Sequence, residues 1–95
     1  IRVAQGESLP ITQEDVELNG HSIQCRINAE NSANFVPSPG RLWDCHFPSG
    51  YGIRVDSHAH IGYDMPRRFD SLLAKIIVWG KTRDEAIRRT AFSIK

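Results

Sequence analysis

The chain has 95 residues and a formal net charge of +1, with 12 Lys and Arg against 11 Asp and Glu. This length suits one domain spanning residues 1–95, and the balanced charge argues against a nucleic-acid-binding or membrane-bound protein. Two cysteines give no disulfide framework of the kind that small secreted domains use, and the apolar runs fall short of the roughly 20 residues of a membrane helix, so we expect a cytoplasmic protein.

The first 20 residues predict local turns. The segment Ile1–Gly6 is typical of the end of a helix, because glycine readily takes the left-handed conformation that closes one. A helical turn is expected at Gln13–Val16. The pair Asn19–Gly20 predicts a tight hairpin turn, since both residues accept a positive φ.

Two strands are predicted on either side of a proline-containing loop at 31–40. The first, Ser22–Glu30, alternates apolar and polar residues, so that one polar face points outward. The second places three residues on one apolar face: Trp43, Cys45 and Phe47. Cys25 and Cys45 are both expected to be buried free thiols.

A third strand is predicted to begin at Ile53, after the flexible Gly50–Gly52 bend. Its apolar face would carry Ile53, Val55, Ala59 and Ile61, with Ser57 as a polar exception. Its outward face would carry Arg54, Asp56, His58 and His60. Arg54 would therefore point away from the core, in a position where its guanidinium could contact an anion.

The remaining third of the chain predicts an irregular crossing at Tyr63–Arg68 and a central strand at Leu72–Trp79, which Gly80 ends. A capping box at Thr82–Glu85 then opens a helix, which buries a stripe of four residues: Ile87, Thr90, Ala91 and Ile94. Together these elements indicate an α+β fold, a small β-rich antiparallel domain with flanking helices. Both ends are expected to continue into a longer chain.

Five peptides in fixed order carry a resemblance to a known family. They are Cys25–Glu30, Pro37–Gly40, Gly50–Ser57, Phe69–Lys75 and Thr82–Ala86. In this order and spacing the chain resembles the C-terminal domain of biotin carboxylase, a component of acetyl-CoA, propionyl-CoA, pyruvate and related biotin-dependent carboxylases. The resemblance implies a small β-rich unit packed beside an ATP-grasp domain.

The resemblance also implies a role for Arg54. In the family, an arginine at the matching position binds the ureido group of biotin and stabilises the biotin enolate, a task that suits a permanently charged fork of donors. The alternative from the residues alone is a solvated strand arginine paired with Asp56. ATP and Mg²⁺ are implied to bind upstream in the parent enzyme, so we expect the isolated chain to be inactive.

Four other charged residues in these peptides are expected to be structural: Arg26, Glu30, Asp70 and Lys75. Arg26 and Glu30 would pair across strands or with the loop that follows. Asp70 would hold the irregular crossing through side-chain to backbone hydrogen bonds. Lys75 would need a partner or a path to solvent.

Two further groups of residues suggest possible sites. His46, His58 and His60 could approach one another, but a fourth zinc ligand is missing from any recognisable spacing, so we expect no metal site. Trp79 and Arg83 flank the end of the central strand, and the resemblance implies a homodimer through this region. A core tryptophan and an exposed arginine are the equally weighted alternative.

The leading interpretation is a domain that supplies Arg54 and part of a dimer surface to an ATP-dependent biotin carboxylase. Its implied partners are the ATP-grasp domain, the biotin carboxyl carrier and the carboxyltransferase. An alternative is an assembly module in which Arg54 makes only a salt bridge. A free β-rich nucleic-acid binder fits poorly, because the chain lacks an aromatic and basic stacking pattern.

Overall fold

A three-stranded antiparallel sheet forms the centre of the protein in the computed structural model, which describes residues 1–68 and 70–95. Strand β1 (His21–Asn28) and strand β3 (Ile53–Ser57) pair with opposite edges of β5 (Leu72–Gly80). Two short strands, β2 (Gly40–Arg41) and β4 (Asp64–Met65), form a separate antiparallel pair. Phe69, the first residue of the Phe69–Lys75 peptide, lies outside the described residues. The prediction that Leu72–Trp79 is the central strand is confirmed.

The alternation of β5 explains its central position. Ala74, Ile76 and Val78 are buried, and Val78 is 0% exposed. The residues between them are half-buried and form the other face of the sheet. On β1 the predicted alternation is confirmed, since its apolar residues are half-buried while its polar residues are exposed. The sheet therefore has an inner face that carries the core and an outer face that is open.

Helix α1 (Arg83–Ser93) packs on the inner face against β5 and β1. Its buried residues are Ala86, Thr90 and Ser93. A Cβ atom on Gly80 would lie 2.6 Å from the backbone nitrogen of Ala86, so the strand and helix backbones approach closely there.

Because the two backbones approach so closely, most of the predicted buried stripe of the helix is wrong. Thr90 is buried as expected, but Ile87, Ala91 and Ile94 are exposed. The helix turns the small side chains of Ala86, Thr90 and Ser93 toward the sheet, because large ones would not fit where the two backbones are so near.

The second predicted strand is wrong. Pairing ends at Arg41, and beyond it Trp43 is 80% exposed instead of lying on a buried face. The guanidinium carbon of Arg41 lies 5.4 Å from the centre of the Trp43 ring, so the aromatic side chain packs against a surface arginine. Cys45, a free thiol, is half-buried in a loop.

The third predicted strand is right only as far as Ser57. There the Ser57 hydroxyl donates to the Leu73 carbonyl oxygen at 2.6 Å and accepts from the Ala59 amide at 3.0 Å. These bonds divert the chain from the sheet, so His58 and His60 lie in an irregular segment rather than on a strand.

The N-terminal segment forms turns but no hairpin. Gly6 closes a single 3-10 turn, Val3–Gln5, with φ of 94°, where the end of a helix closed by this glycine was expected. A second 3-10 turn, Gln13–Asp15, lies where a helical turn was expected. Gly20 has the predicted positive φ of 78°, but the residues before it are not a strand. The predicted hairpin is therefore wrong.

Candidate functional site

The candidate site lies on the outer face of the sheet, where the Gly50–Gly52 bend leads into β3. Gly52 has φ of 71°, which a residue with a Cβ atom rarely adopts. Its carbonyl oxygen accepts a hydrogen bond from the Trp79 amide at 2.8 Å, which ties the bend to the end of β5. The first outward-facing residue beyond the bend is Arg54.

Arg54 forms a two-point ion pair with Asp56. Its Nε lies 2.8 Å from Asp56 Oδ1, and its Nη2 lies 2.9 Å from Asp56 Oδ2. The Arg54 side chain is nevertheless 73% exposed. Among the described residues only Asp56 accepts from this guanidinium, so Nη1 is left to face solvent or a ligand.

The pair shifts the ionisation of both partners. Hydrogen bonding to Asp56 raises the pKa of Arg54, which was already charged at any physiological pH. Hydrogen bonding from Arg54 lowers the pKa of Asp56, and the charge of Lys75 contributes in the same direction. The site therefore keeps both signs of charge throughout the neutral range.

The sheet register places other charges beside this pair. Arg54 stands opposite Ile77 on β5, and Asp56 stands opposite Lys75. Lys75 in turn stands opposite Arg26 on β1. Asp56, Lys75 and Arg26 therefore form a row across the outer face of the sheet, with one negative charge beside two positive ones, next to the apolar Ile77 side chain.

The charged residues expected to be structural have local partners. Arg26 Nη2 donates to Asp70 Oδ2 at 3.2 Å. This hydrogen bond links β1 to the segment that precedes β5. Asp70 Oδ1 also accepts from the Leu72 amide at 3.1 Å, as expected for a residue that holds the crossing. Glu30 accepts from the Ser71 hydroxyl at 2.6 Å.

The three histidines do not converge. His58 and His60 both pack edge-on against the Tyr63 ring, with centroid distances of 5.0 and 5.7 Å. His46 lies beside Asp44, with 3.1 Å between Nδ1 and Oδ1. Across residues 1–68 and 70–95, no three His, Cys, Asp or Glu side chains are grouped so as to hold a metal ion. Nor does this part of the chain contain a helix with the length and hydropathy needed to cross a bilayer.

Trp79 is half-buried at the end of β5. Its Nε1 donates to the Asn19 carbonyl oxygen at 3.0 Å, and its ring meets Tyr51 edge-on at 6.3 Å. Arg83 is exposed at the first turn of α1. Trp79 thus anchors the residues before β1, while a role of Trp79 and Arg83 in a dimer interface stays a prediction.

Sequence reasoning missed Arg89. This residue projects from α1 to the Gly50–Gly52 bend, where its guanidinium carbon lies 5.5 Å from the centre of the Tyr51 ring. The sequence signal was the spacing of Glu85 and Arg89 by one helical turn, which favours an ion pair and does form one. Nothing in that spacing indicates the contact with Tyr51.

Comparison with known proteins gives a consistent result. The model of the biotin carboxylase C-terminal domain family matches residues 24–95. Biotin carboxylase of Pseudomonas aeruginosa is 52% identical over 89 residues, and biotin carboxylase 1 of Bacillus subtilis is 57% identical over 90 residues. Each match covers 94% of this chain but only 20% of the relative, so the chain spans about one fifth of the length of these relatives.

Solved structures agree with these relatives. The biotin carboxylase domain dimer of Hydrogenobacter thermophilus 2-oxoglutarate carboxylase, in complex with MgADP, ADP and bicarbonate, superposes with a TM-score of 0.94 at 42% identity. The biotin carboxylase subunit of pyruvate carboxylase superposes with a TM-score of 0.93 at 44% identity. Both matches cover 98% of this chain and 21% of the solved one. The predicted α+β fold with an antiparallel sheet is thereby confirmed.

Proposed function

Because the chain belongs to the biotin carboxylase C-terminal domain family, we propose that it serves an ATP-dependent biotin carboxylase by supplying Arg54 to the reaction. The parent enzyme would use ATP and bicarbonate to carboxylate biotin on a carrier. The observation that supports this role is the position of Arg54, an exposed guanidinium on β3, two residues beyond Gly52 in a bend that is hydrogen-bonded to the central strand.

The chemistry of Arg54 fits a biotin ureido oxygen. Biotin, when bound, would offer a ureido nitrogen as nucleophile, and negative charge would develop on the neighbouring oxygen as that nitrogen gives up its proton, before it attacks the carboxyl carbon. Arg54 stays charged and is planar, so its outward Nη1 can donate to this oxygen without a change of protonation. An ion that is already held in place needs little reorganisation when the charge appears.

Asp56 and Lys75 support that arrangement. Asp56 holds the Nε edge of the Arg54 fork, which orients the outer edge toward solvent. Lys75 faces Asp56 across the strands and offers a second positive charge to the same carboxylate. Asp56 would therefore keep a counter-ion while Arg54 donates to a ligand from its outward edge.

The remaining parts of the reaction are proposed to lie elsewhere in the parent. The sequence has no glycine-rich phosphate loop followed by lysine, so we assign ATP and Mg²⁺ to an ATP-grasp domain outside this chain. The biotin carboxyl carrier and a carboxyltransferase are the proposed further partners. A homodimer of the parent follows by analogy with the dimeric 2-oxoglutarate carboxylase domain.

The test uses the full-length enzyme that contains this chain. We expect Arg54→Ala and Arg54→Lys each to lower the rate of biotin carboxylation by roughly a hundredfold to a thousandfold, the usual loss for one preorganised donor. Lysine should fail as well, because a single ammonium on a flexible stem does not reproduce a planar fork.

Arg26→Ala is the matched control, since Arg26 is also an arginine of the outer face held by one carboxylate. It should retain most of the activity. A lysine variant that keeps its activity would reduce Arg54 to a generic charge. If Arg54→Ala carboxylates biotin at the normal rate and assembles normally, the chain is an assembly module, and the catalytic role is wrong.

A further inference from the structure

Arg89 joins three parts of the structure at the base of the candidate site. Its Nη1 donates to the Trp79 carbonyl oxygen at the end of β5, and its Nη2 donates to Glu85 Oε1 at 2.6 Å within α1. Its guanidinium also lies over the Tyr51 ring in the bend before β3. One side chain thus connects the helix, the central strand and the bend.

The packing around Arg89 leaves it little freedom. Its side chain is only 20% exposed, although it carries a full charge. The two hydrogen bonds and the aromatic face satisfy that charge, as a largely buried guanidinium requires. A Cβ atom on Gly52 would lie 2.5 Å from Arg89 Nη1, so the bend backbone lies directly against the guanidinium.

The bend in turn determines where β3 begins. Trp79 uses its amide to hold the Gly52 carbonyl oxygen at 2.8 Å and its own carbonyl oxygen to hold Arg89. Arg54 is two residues beyond Gly52, and it faces outward because the strand starts in this register. A displacement of the bend would therefore move the Arg54 guanidinium.

We propose that Arg89 is a positioning residue for Arg54, acting through the Gly50–Gly52 bend without touching biotin itself. The proposal rests on the catalytic role of Arg54 proposed above. Its physical basis is the sensitivity of reaction rates to geometry, since a misplacement of about 1 Å can cost on the order of a hundredfold.

The experiment compares Arg89→Ala with Arg88→Ala in the full-length enzyme. Arg88 is the adjacent, exposed arginine of the same helix, so it controls for lost charge and helix propensity. We expect Arg89→Ala to lower kcat for biotin carboxylation about 10-fold to 100-fold with KM for ATP unchanged. Arg88→Ala should leave both constants near those of the unmodified enzyme.

A double-mutant cycle separates positioning from general stability. If Arg89 acts through Arg54, adding Arg89→Ala to Arg54→Ala should lower kcat by less than about twofold further. A full additional loss in that background would overturn the proposal, and so would an Arg89→Ala enzyme with normal kcat. If Arg54→Ala alone is harmless, the proposed function fails first and the positioning role falls with it.

Tyr51→Leu provides a second variant in case Arg89→Ala does not fold. Tyr51 is 76% exposed, so its replacement removes the aromatic face under Arg89 while sparing the core. We expect a loss of kcat of about 3-fold to 10-fold, again absent in the Arg54→Ala background. A folded Tyr51→Leu enzyme with normal kcat would contradict the proposal.

Discussion

Replacement of Gly52 by alanine tests whether the bend before Arg54 is as closely packed as the structure indicates. Gly52 has a φ of 71°, and the added Cβ atom would lie 2.7 Å from the Trp79 carbonyl oxygen and 2.5 Å from Arg89 Nη1. The carbonyl belongs to the central strand and does not move easily. The substitution therefore imposes both backbone strain and a steric clash.

The two costs can be separated by magnitude. A left-handed backbone costs a non-glycine residue roughly 1–2 kcal/mol. Forcing an extra carbon into a packed site costs typically about 1–3 kcal/mol more. We therefore expect Gly52→Ala to lower the free energy of unfolding by about 2–5 kcal/mol.

Gly62→Ala is the matched control. Gly62 has a similar φ of 84°, but its added Cβ atom would meet only the end of the Arg41 side chain, 3.5 Å away. It should show the strain cost alone, so the two variants differ by the clash of about 1–3 kcal/mol.

Thermal unfolding of the chain, followed by circular dichroism, measures this difference. In a domain of this size 1 kcal/mol changes Tm by about 4–8 °C. Gly52→Ala should therefore melt roughly 4 to 24 °C below Gly62→Ala. Equal melting temperatures would refute the reasoning, because they would show that the bend has room for a methyl group.

Two further predictions concern the end of β5 and the start of α1. Trp79→Ala combined with Arg83→Glu should weaken self-association of the parent, measured by sedimentation at several concentrations with circular dichroism as the folding control; an unchanged dimer of intact fold would exclude these residues from the interface. Glu85→Gln should destabilise the fold at neutral pH but not in acid. The hydrogen bond from the Lys81 amide and the charge of Arg89 lower the Glu85 pKa, so its contribution is present above the unfolded-state pKa and disappears as the pH falls through the lowered value. A pH-independent difference between the variant and the unmodified chain in urea unfolding would contradict that account.

The strands that could be predicted from sequence are those with a strict pattern. β1 alternates apolar and polar residues without a break, and β5 is apolar on both faces except at Lys75, which is typical of a central strand. The segment around Trp43 and Phe47 shows a similar alternation, yet it is not a strand. Aromatic residues there are exposed, so the pattern alone does not distinguish a buried face from a surface one.

Helix α1 and the candidate site show a second limit of prediction from the sequence. Which face of α1 packs on the sheet depends on the backbone contact between Gly80 and Ala86, a tertiary feature that helical periodicity does not contain. Alternation along the strand predicts the outward direction of Arg54, and the spacing of Arg54 and Asp56 on one face allows the ion pair that forms. The contact of Arg89 with Tyr51 required the fold itself, because it joins residues that are distant along the chain.

The order of strands in the sheet has a consequence for how the chain folds. Val78 on the central strand pairs with Ile53 on one side and Ile23 on the other, and the second partner is more than twice as far away along the chain. Each doubling of the length of a loop adds only about 0.6 kcal/mol to the entropic free-energy cost of closing it. During synthesis, however, β1 emerges first of the strands that the structure describes, and β5, the one of these strands that pairs with it, emerges last. The strand with the cleanest alternation therefore stays without this strand partner until the ribosome has made β5.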